Sequence, residues 1–155
     1  MNHWLVKSEP DVFSVDDLAA CPEQTRWWKH VLNYQARNFI RDDMKIGDQV
    51  FFYHSNTDVP GIVGVAEIAS EPYPDPDAFN PEAKYFDPKS DPENPRWFLL
   101  DICLLARLDR PISLKSIKAH AEMLGDLPLI RRGNRLSVMP LASDQWDYIM
   151  SLQAA

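Results

Sequence analysis

The chain has 155 residues, 45% of them hydrophobic and 25% charged, with 5 Trp, 5 Tyr and 7 Phe; that length suggests one domain, and so many aromatics exclude a chain disordered throughout. No apolar run approaches the roughly 18 residues of a membrane-spanning helix, and Met1-Asn2-His3-Trp4-Leu5-Val6-Lys7 lacks the basic-then-apolar order of a secretory signal. The formal charge of −7 argues against a protein that coats nucleic acid by neutralising phosphates.

His3 to Lys7 reads as a strand, with Trp4 and Val6 on one face and Leu5 on the other. Ser14, with Asp17 three residues on, marks a helix over Val15 to Ala20 that Cys21-Pro22 stops. The spacing predicts a helix over Asn33 to Asp43, with Ala36, Phe39, Ile40 and Met44 facing the core. Gly47-Asp48 turns the chain into a strand, Gln49 to His54, apolar on both faces and therefore covered on both. Ile62 to Ile68 follows as its hairpin partner, and Gly64 inside it signals a bulge or a close backbone approach. Glu71 to Pro95 holds seven prolines and no helical or strand period. It reads as an ordered loop anchored by Tyr73, Phe79, Tyr85 and Phe86. Trp97 to Ala106 is a central strand, Ser113 to Ala121 a helix capped by Ser113, Leu136 to Leu141 a strand, and Ser143 to Leu152 a closing helix. Short strands and helices without a βαβ rhythm point to an α+β fold, a small barrel, in a single domain over 1–155.

Charge is unevenly spread. Ala66 to Asp101 carries nine acids and three bases, a net −6, whereas Arg107 to Arg135 carries seven bases and three acids, a net +4. These are two solvated faces, or a local basic surface on an acidic chain. Cys21 and Cys103 cannot form a disulfide framework or a four-cysteine zinc site, which fits a reducing, cytoplasmic setting.

Few motifs carry chemistry. Gly61-Ile62-Val63-Gly64 lacks the third glycine and the helix start of a dinucleotide fingerprint. His54 and Ser55 are adjacent in or beside a strand and so point apart, which disfavours a base–nucleophile pair. His3, His30, His54 and His120 have no ligand-like spacing, so no metal or cofactor is expected. Trp27-Trp28, flanked by Arg26, Lys29 and His30, cannot both face a core; one packs and one is offered to a ligand, or both serve packing alone. A flat aromatic beside hydrogen-bonding side chains suits a nucleobase. Asn33-Tyr34-Gln35-Ala36-Arg37-Asn38 supplies the planar amides and guanidinium that read base edges, or is the solvated face of an amphipathic helix.

Trp4-Leu5-Val6-Lys7-Ser8-Glu9-Pro10, Asn33 to Asn38, Met44-Lys45-Ile46-Gly47-Asp48, Phe52-Tyr53-His54-Ser55-Asn56 and Arg135-Leu136-Ser137-Val138 together resemble the EVE domain family, in order and over nearly the whole chain. The resemblance implies a PUA-like fold, a small and partly open β-barrel flanked by short helices. It also implies a monomeric, non-catalytic module that recognises a modified nucleobase in a pocket on the barrel. The expected ligand is modified cytosine, in DNA rather than RNA; no membrane is involved. Lys7 and Ser8 then lie beside the pocket, Trp28 is the stacking surface, and Asn33, in the motif it shares with Tyr34 and Arg37, reads a base edge. Arg37 meets a phosphate or holds the helix, His54 and Ser55 donate or accept hydrogen bonds, and Arg135, in the motif it shares with Ser137, approaches a phosphate. As a solvent-facing platform, Trp28 is expected to be removable with little change in melting temperature. Lys29, His30 and Leu32 stand where many members have an acid, a glycine and an arginine. The rival readings are an RNA-binding PUA-like domain, a nucleotide-processing hydrolase using His54, Ser55 or Asp101, and an adaptor presenting the proline-rich acidic loop.

Overall fold

Strand β1 (His3–Ser8) pairs in parallel with β3 (Gln49–His54) and antiparallel with β7 (Val138–Leu141). The computed structural model describes residues 2–28, 34–83, 86–89, 91, 93, 95–133 and 136–153. Among these, β1, β3 and β7 join β2 (Thr25–Trp28), β4 (Gly61–Ile68) and β6 (Phe98–Ser113) in one sheet of order β2-β6-β4-β3-β1-β7. Strand β5 (Tyr73–Pro74) adds to β6. The result is a mixed, unclosed seven-stranded sheet with short helices, which is the partly open barrel expected.

Strand alternation divides the core. Trp4, Val6, Val50 and Phe52 enter one cluster, and Leu5, Phe51 and Tyr53 enter the other. Helices α1 (Val15–Ala20) and α2 (Tyr34–Asn38) bury Val15, Leu18 and Ala36 in the first. Helices α3 (Leu114–Ala119), α4 (Ala121–Leu124) and α5 (Ser143–Gln153) bury Ile117, Leu124, Trp146 and Ile149 in the second. Trp146 stacks on Phe51 with ring centroids 3.6 Å apart.

Local chemistry fixes the ends. Ser14 Oγ accepts from the Asp17 amide at 3.1 Å while the Ser14 amide donates to Asp17 Oδ2 at 2.9 Å, a reciprocal cap on α1. At the turn into β3, Gly47 takes φ +89°. Buried Asp48 there accepts from the Asn2 amide, the Trp4 indole and the Lys45 amide. This carboxylate ties the N-terminus to the turn. Gly64 lies where a Cβ would come within 3.1 Å of the Ala106 carbonyl oxygen and 3.0 Å of Val15 Cγ2, the close approach its sequence context predicted. The β4–β6 register shifts beside it, with Leu108 to Pro111 bulged opposite Val63.

Several elements differ from expectation. Thr25–Trp28 is a strand the sequence did not reveal, antiparallel to β6 with Trp28 opposite Leu100. Its alternation turns Trp28 inward: it is 9% exposed in the core, whereas Trp27 is 42% exposed. Trp28 is therefore not the open, removable platform expected. The helix expected to run to Asp43 changes to a π-helical segment over Phe39–Asp43, closed by the Met44 amide on the Phe39 carbonyl at 2.9 Å. Strand β6 runs on to Ser113 rather than stopping at Ala106. The proline-rich stretch contains β5, since a proline is tolerated where its missing N–H faces no partner strand. Tyr73 anchors that stretch by donating to Asp101 Oδ1 at 2.7 Å; Phe86 is 38% exposed, and Tyr85 lies outside the described residues.

Candidate nucleic-acid interface

Because β1 and β3 are parallel, their C-terminal ends meet on one side of the sheet. Lys7 lies opposite Tyr53 and Ser8 opposite His54. The Ser55 amide donates to the Ser8 carbonyl at 3.0 Å, and the Lys7 amide donates to the Ser137 carbonyl at 2.8 Å. Lys7, Ser8, His54, Ser55 and Ser137, from three separated sequence motifs, are thereby gathered at one strand-end cluster.

The groups in this cluster are shaped by burial. Burial lowers the pKa of half-buried Lys7, whose ammonium sits 5.7 Å from the centre of the Tyr53 ring. Among the described residues no carboxylate pairs with it. Burial pushes the Tyr53 phenol up to about 12. His54 Nε2 accepts from the Val15 amide at 3.0 Å. An amide can only donate, so the neutral ring carries its proton on Nδ1. Burial lowers the His54 pKa, with Asp16 opposing the shift. With its Nε2 lone pair engaged at the start of α1, His54 is not poised to activate Ser55.

Beside Ser8 opens a cavity of about 160 Å³ lined by Ser8, Val12, Phe13, Arg26, Trp27 and Trp28. An apolar cavity of about 150 Å³ accepts benzene, so this one is of the right size for a single six-membered ring. Its walls are aromatic and its polar groups few. Ser8 Oγ donates to the Phe13 carbonyl and holds the loop that carries Phe13. Trp28 meets Phe52 edge to face at 5.9 Å. Its indole Nε1 is buried with no hydrogen-bond partner, the one such side-chain atom among the described residues. An unsatisfied buried donor costs about 1–3 kcal/mol. An unsatisfied buried donor of this kind calls for an explanation, such as a ligand or water site.

Tyr34 and Arg37 lie in a different cluster. Tyr34 stacks on Trp97 at 5.0 Å, and the Arg37 guanidinium covers Tyr34 at 4.8 Å. Arg37 Nη1 donates to the Arg96 carbonyl at 3.0 Å, and the Trp97 indole donates to Asp87 Oδ2 at 2.8 Å. Arg37 thus ties α2 to the chain at Arg96, just after the proline-rich stretch. Asn33 and Arg135 lie outside the described residues, as do Lys29, His30 and Leu32. Two bases of the +4 stretch are already matched, Arg107 to Asp16 at 2.8 Å and Arg131 to Asp126 at 3.0 Å.

Phe13, Val12 and Arg26 were missed as cavity walls. Once Thr25–Trp28 is known to be a strand, period-two alternation places Arg26 on the same side as Trp28, so that signal was present but unread. Among the described residues no three His, Cys, Asp or Glu side chains are grouped to hold a metal ion, and no helix is long and apolar enough to cross a membrane.

Comparison with known proteins bears on this geometry. The EVE domain model matches residues 2–152. Thymocyte nuclear protein 1 of Gallus gallus is 42% identical over 97% of this chain and 68% of its own length. The Homo sapiens protein of that name is 39% identical over 98% of this chain and 74% of its own length. Human THYN1 protein, solved in complex with 5-methylcytosine containing DNA, superimposes with a TM-score of 0.92 at 39% identity, covering 100% of this chain and 99% of that one. A protein from Pseudomonas putida superimposes at 0.90 with 43% identity, covering 97% of this chain and 99% of that one.

Proposed function

We propose that this chain, which belongs to the EVE domain family, is a DNA-binding module that takes a modified cytosine, 5-methylcytosine in the first instance, into the cavity beside Ser8 and Trp28. The observation that carries this reading is a cavity sized for one ring and lined by Trp28, a side chain whose buried indole N–H has no partner among the described residues. A ring carbonyl of the entering base satisfies that donor. The solved human relative, which holds 5-methylcytosine DNA, supports the choice of ligand.

The physics sets the scale. A base inside a duplex must leave the stack at a cost of a few kcal/mol. Aromatic walls return about 1–3 kcal/mol by stacking. The extra methyl, set against Val12, Phe13 or Trp28, adds about 1 kcal/mol of apolar burial, which is about fivefold in affinity. Discrimination is therefore modest, and an unpaired or mismatched methylcytosine binds better than a paired one. Lys7, desolvated and without a carboxylate among the described residues, sits over Tyr53 on the opposite face of the sheet from Ser8, so its charge lies at the same strand ends but not in the cavity. Ser8 lines the cavity, and His54, Ser55 and Ser137 shape the neighbouring strand ends; Asn33 and Arg135, outside the described residues, belong to the proposal only through the family resemblance. The module binds and does not turn over its ligand, a reading supported by the engagement of His54 with Val15.

The test is a titration of matched oligonucleotides differing in one methyl group, with RNA of the same sequence as a third arm. About fivefold tighter binding to the methylated DNA is expected. Equal, salt-dominated binding to both DNAs, or a preference for the RNA, overturns the reading.

A further inference from the structure

The cavity has a lip that the functional reading leaves unexplained. The Arg26 guanidinium lies between two rings, its carbon 4.0 Å from the centre of Phe13 and 4.2 Å from the centre of Trp27. Arg26 is half-buried and lines the cavity. Among the described residues its side chain makes no hydrogen bond and no ion pair. Four other arginines are engaged: Arg107 with Asp16, Arg131 with Asp126, Arg41 with Asp42, and Arg37 with the Arg96 carbonyl.

Such placement has a chemical consequence. Ring contacts of this kind spend none of the guanidinium's N–H donors, which have no other partner among the described residues. The rings also fix the side chain, so ordering entropy is already lost before a ligand arrives. A planar fork of fixed orientation matches a phosphate, which it meets with two parallel hydrogen bonds. Glu9, on the loop before Phe13, is drawn toward Asn56 Nδ2 at 3.4 Å.

We infer that Arg26, clamped between Phe13 and Trp27, grips the backbone phosphate of the nucleotide whose base occupies the adjoining cavity. This rests on the base-binding reading for which nucleotide it holds. The contact to phosphate is sequence-independent. Arg26 therefore sets affinity and register, while the cavity wall sets the preference for the modified base.

The experiment compares wild type, Arg26→Gln and Arg26→Lys on the methylated and unmethylated DNA oligonucleotides between 50 and about 300 mM salt, with melting curves as the folding control. Arg26→Gln is expected to weaken binding to both oligonucleotides by about tenfold at low salt, with their ratio unchanged. Its log–log salt slope should shrink by about 0.9, one phosphate's share. Arg26→Lys is expected to keep the wild-type slope and recover only part of the affinity, because it keeps the charge but not the fork. An unchanged slope in Arg26→Gln overturns the inference. So does a loss confined to the methylated oligonucleotide, since Arg26 would then be reading the base. If wild type fails to distinguish the two DNAs, the base reading fails while the slopes still decide the role of Arg26. Should Arg26→Gln not fold, Arg26→Lys decides: a slope reduced to the same extent as expected for loss of a contact contradicts the phosphate grip. No binding to either DNA overturns both.

Discussion

His54, the last residue of β3, accepts the backbone N–H of Val15, the first residue of α1, at 3.0 Å. One hydrogen bond thus fastens the loop that carries Val12 and Phe13 to the end of the strand. It exists only while Nε2 holds a lone pair. Burial lowers the folded-state pKa below the usual 6.5, so the folded state binds fewer protons than the unfolded state in that window. The sign follows: this stabilisation is complete above about pH 6.5 and is lost as pH falls through the lower folded value. Between pH 7 and 5 the denaturant midpoint of wild type should fall more steeply than that of His54→Gln. Parallel curves would show that this bond contributes nothing.

Trp28 serves packing and recognition at once, and two substitutions separate these. Trp28→Ala empties a core position against Phe52 and should cost about 3–5 kcal/mol in chemical denaturation. Trp28→Phe keeps an aromatic ring there and removes the unsatisfied N–H, so the smaller ring's cavity is partly offset, and the cost should be about 1 kcal/mol or less. Its affinity for the methylated oligonucleotide should nevertheless fall about tenfold, because the donor is gone. Unimpaired binding by Trp28→Phe would remove the indole N–H from the recognition scheme.

Two glycines on β4 grade the tightness of the sheet. A Cβ on Gly61 would lie 2.5 Å from the Ile112 carbonyl oxygen and 2.8 Å from Ser113 Cα, both backbone. On Gly64 the contacts are 3.0–3.2 Å, and two of the three are to side-chain atoms. Gly64→Ala should cost about 1 kcal/mol and Gly61→Ala about 3 kcal/mol or more, read from urea midpoints. The reverse order would mean that the β4–β6 pairing yields more easily than its register implies.

Much of this was legible because it is local. The Ser14–Asp17 cap, the two-faced burial of Gln49–His54 and the warning carried by Gly64 each depend on a few neighbouring residues. The gathering of Lys7, Ser8, His54 and Ser55 came only from the family resemblance; the parallel β1–β3 pairing behind it is non-local. Strand β2 was unreadable for a different reason. It is four residues long, and it follows Glu23 and Gln24 at φ 55° and 54°, left-handed conformations that no glycine announces. Without that strand, the facing of Trp27 and Trp28 could not be assigned. The outer half of β6 was hidden by Pro111 and by exposed charges, which an edge tolerates and a central strand does not.

The loop of seven prolines is held less by its own composition than by Trp97 and Tyr34. Tyr34→Ala removes the ring stacked on Trp97 and the support of Arg37. Limited proteolysis should then cut between Asp75 and Asp91 several times faster while the thermal midpoint moves by only a few degrees. An unchanged cleavage rate would show that the Trp97–Asp87 hydrogen bond suffices alone.

The central claim is that a modified cytosine enters the cavity and reaches the Trp28 indole. The most direct measurement follows the ¹⁵N-labelled indole N–H of Trp28 by NMR, assigned by its absence in Trp28→Phe, as the methylated and then the unmethylated oligonucleotide are added. The expected result is a downfield shift of that proton as it gains an acceptor, reaching saturation at lower concentration with the methylated strand. A Trp28 signal that stays in place while the oligonucleotide binds and other resonances move would contradict the account.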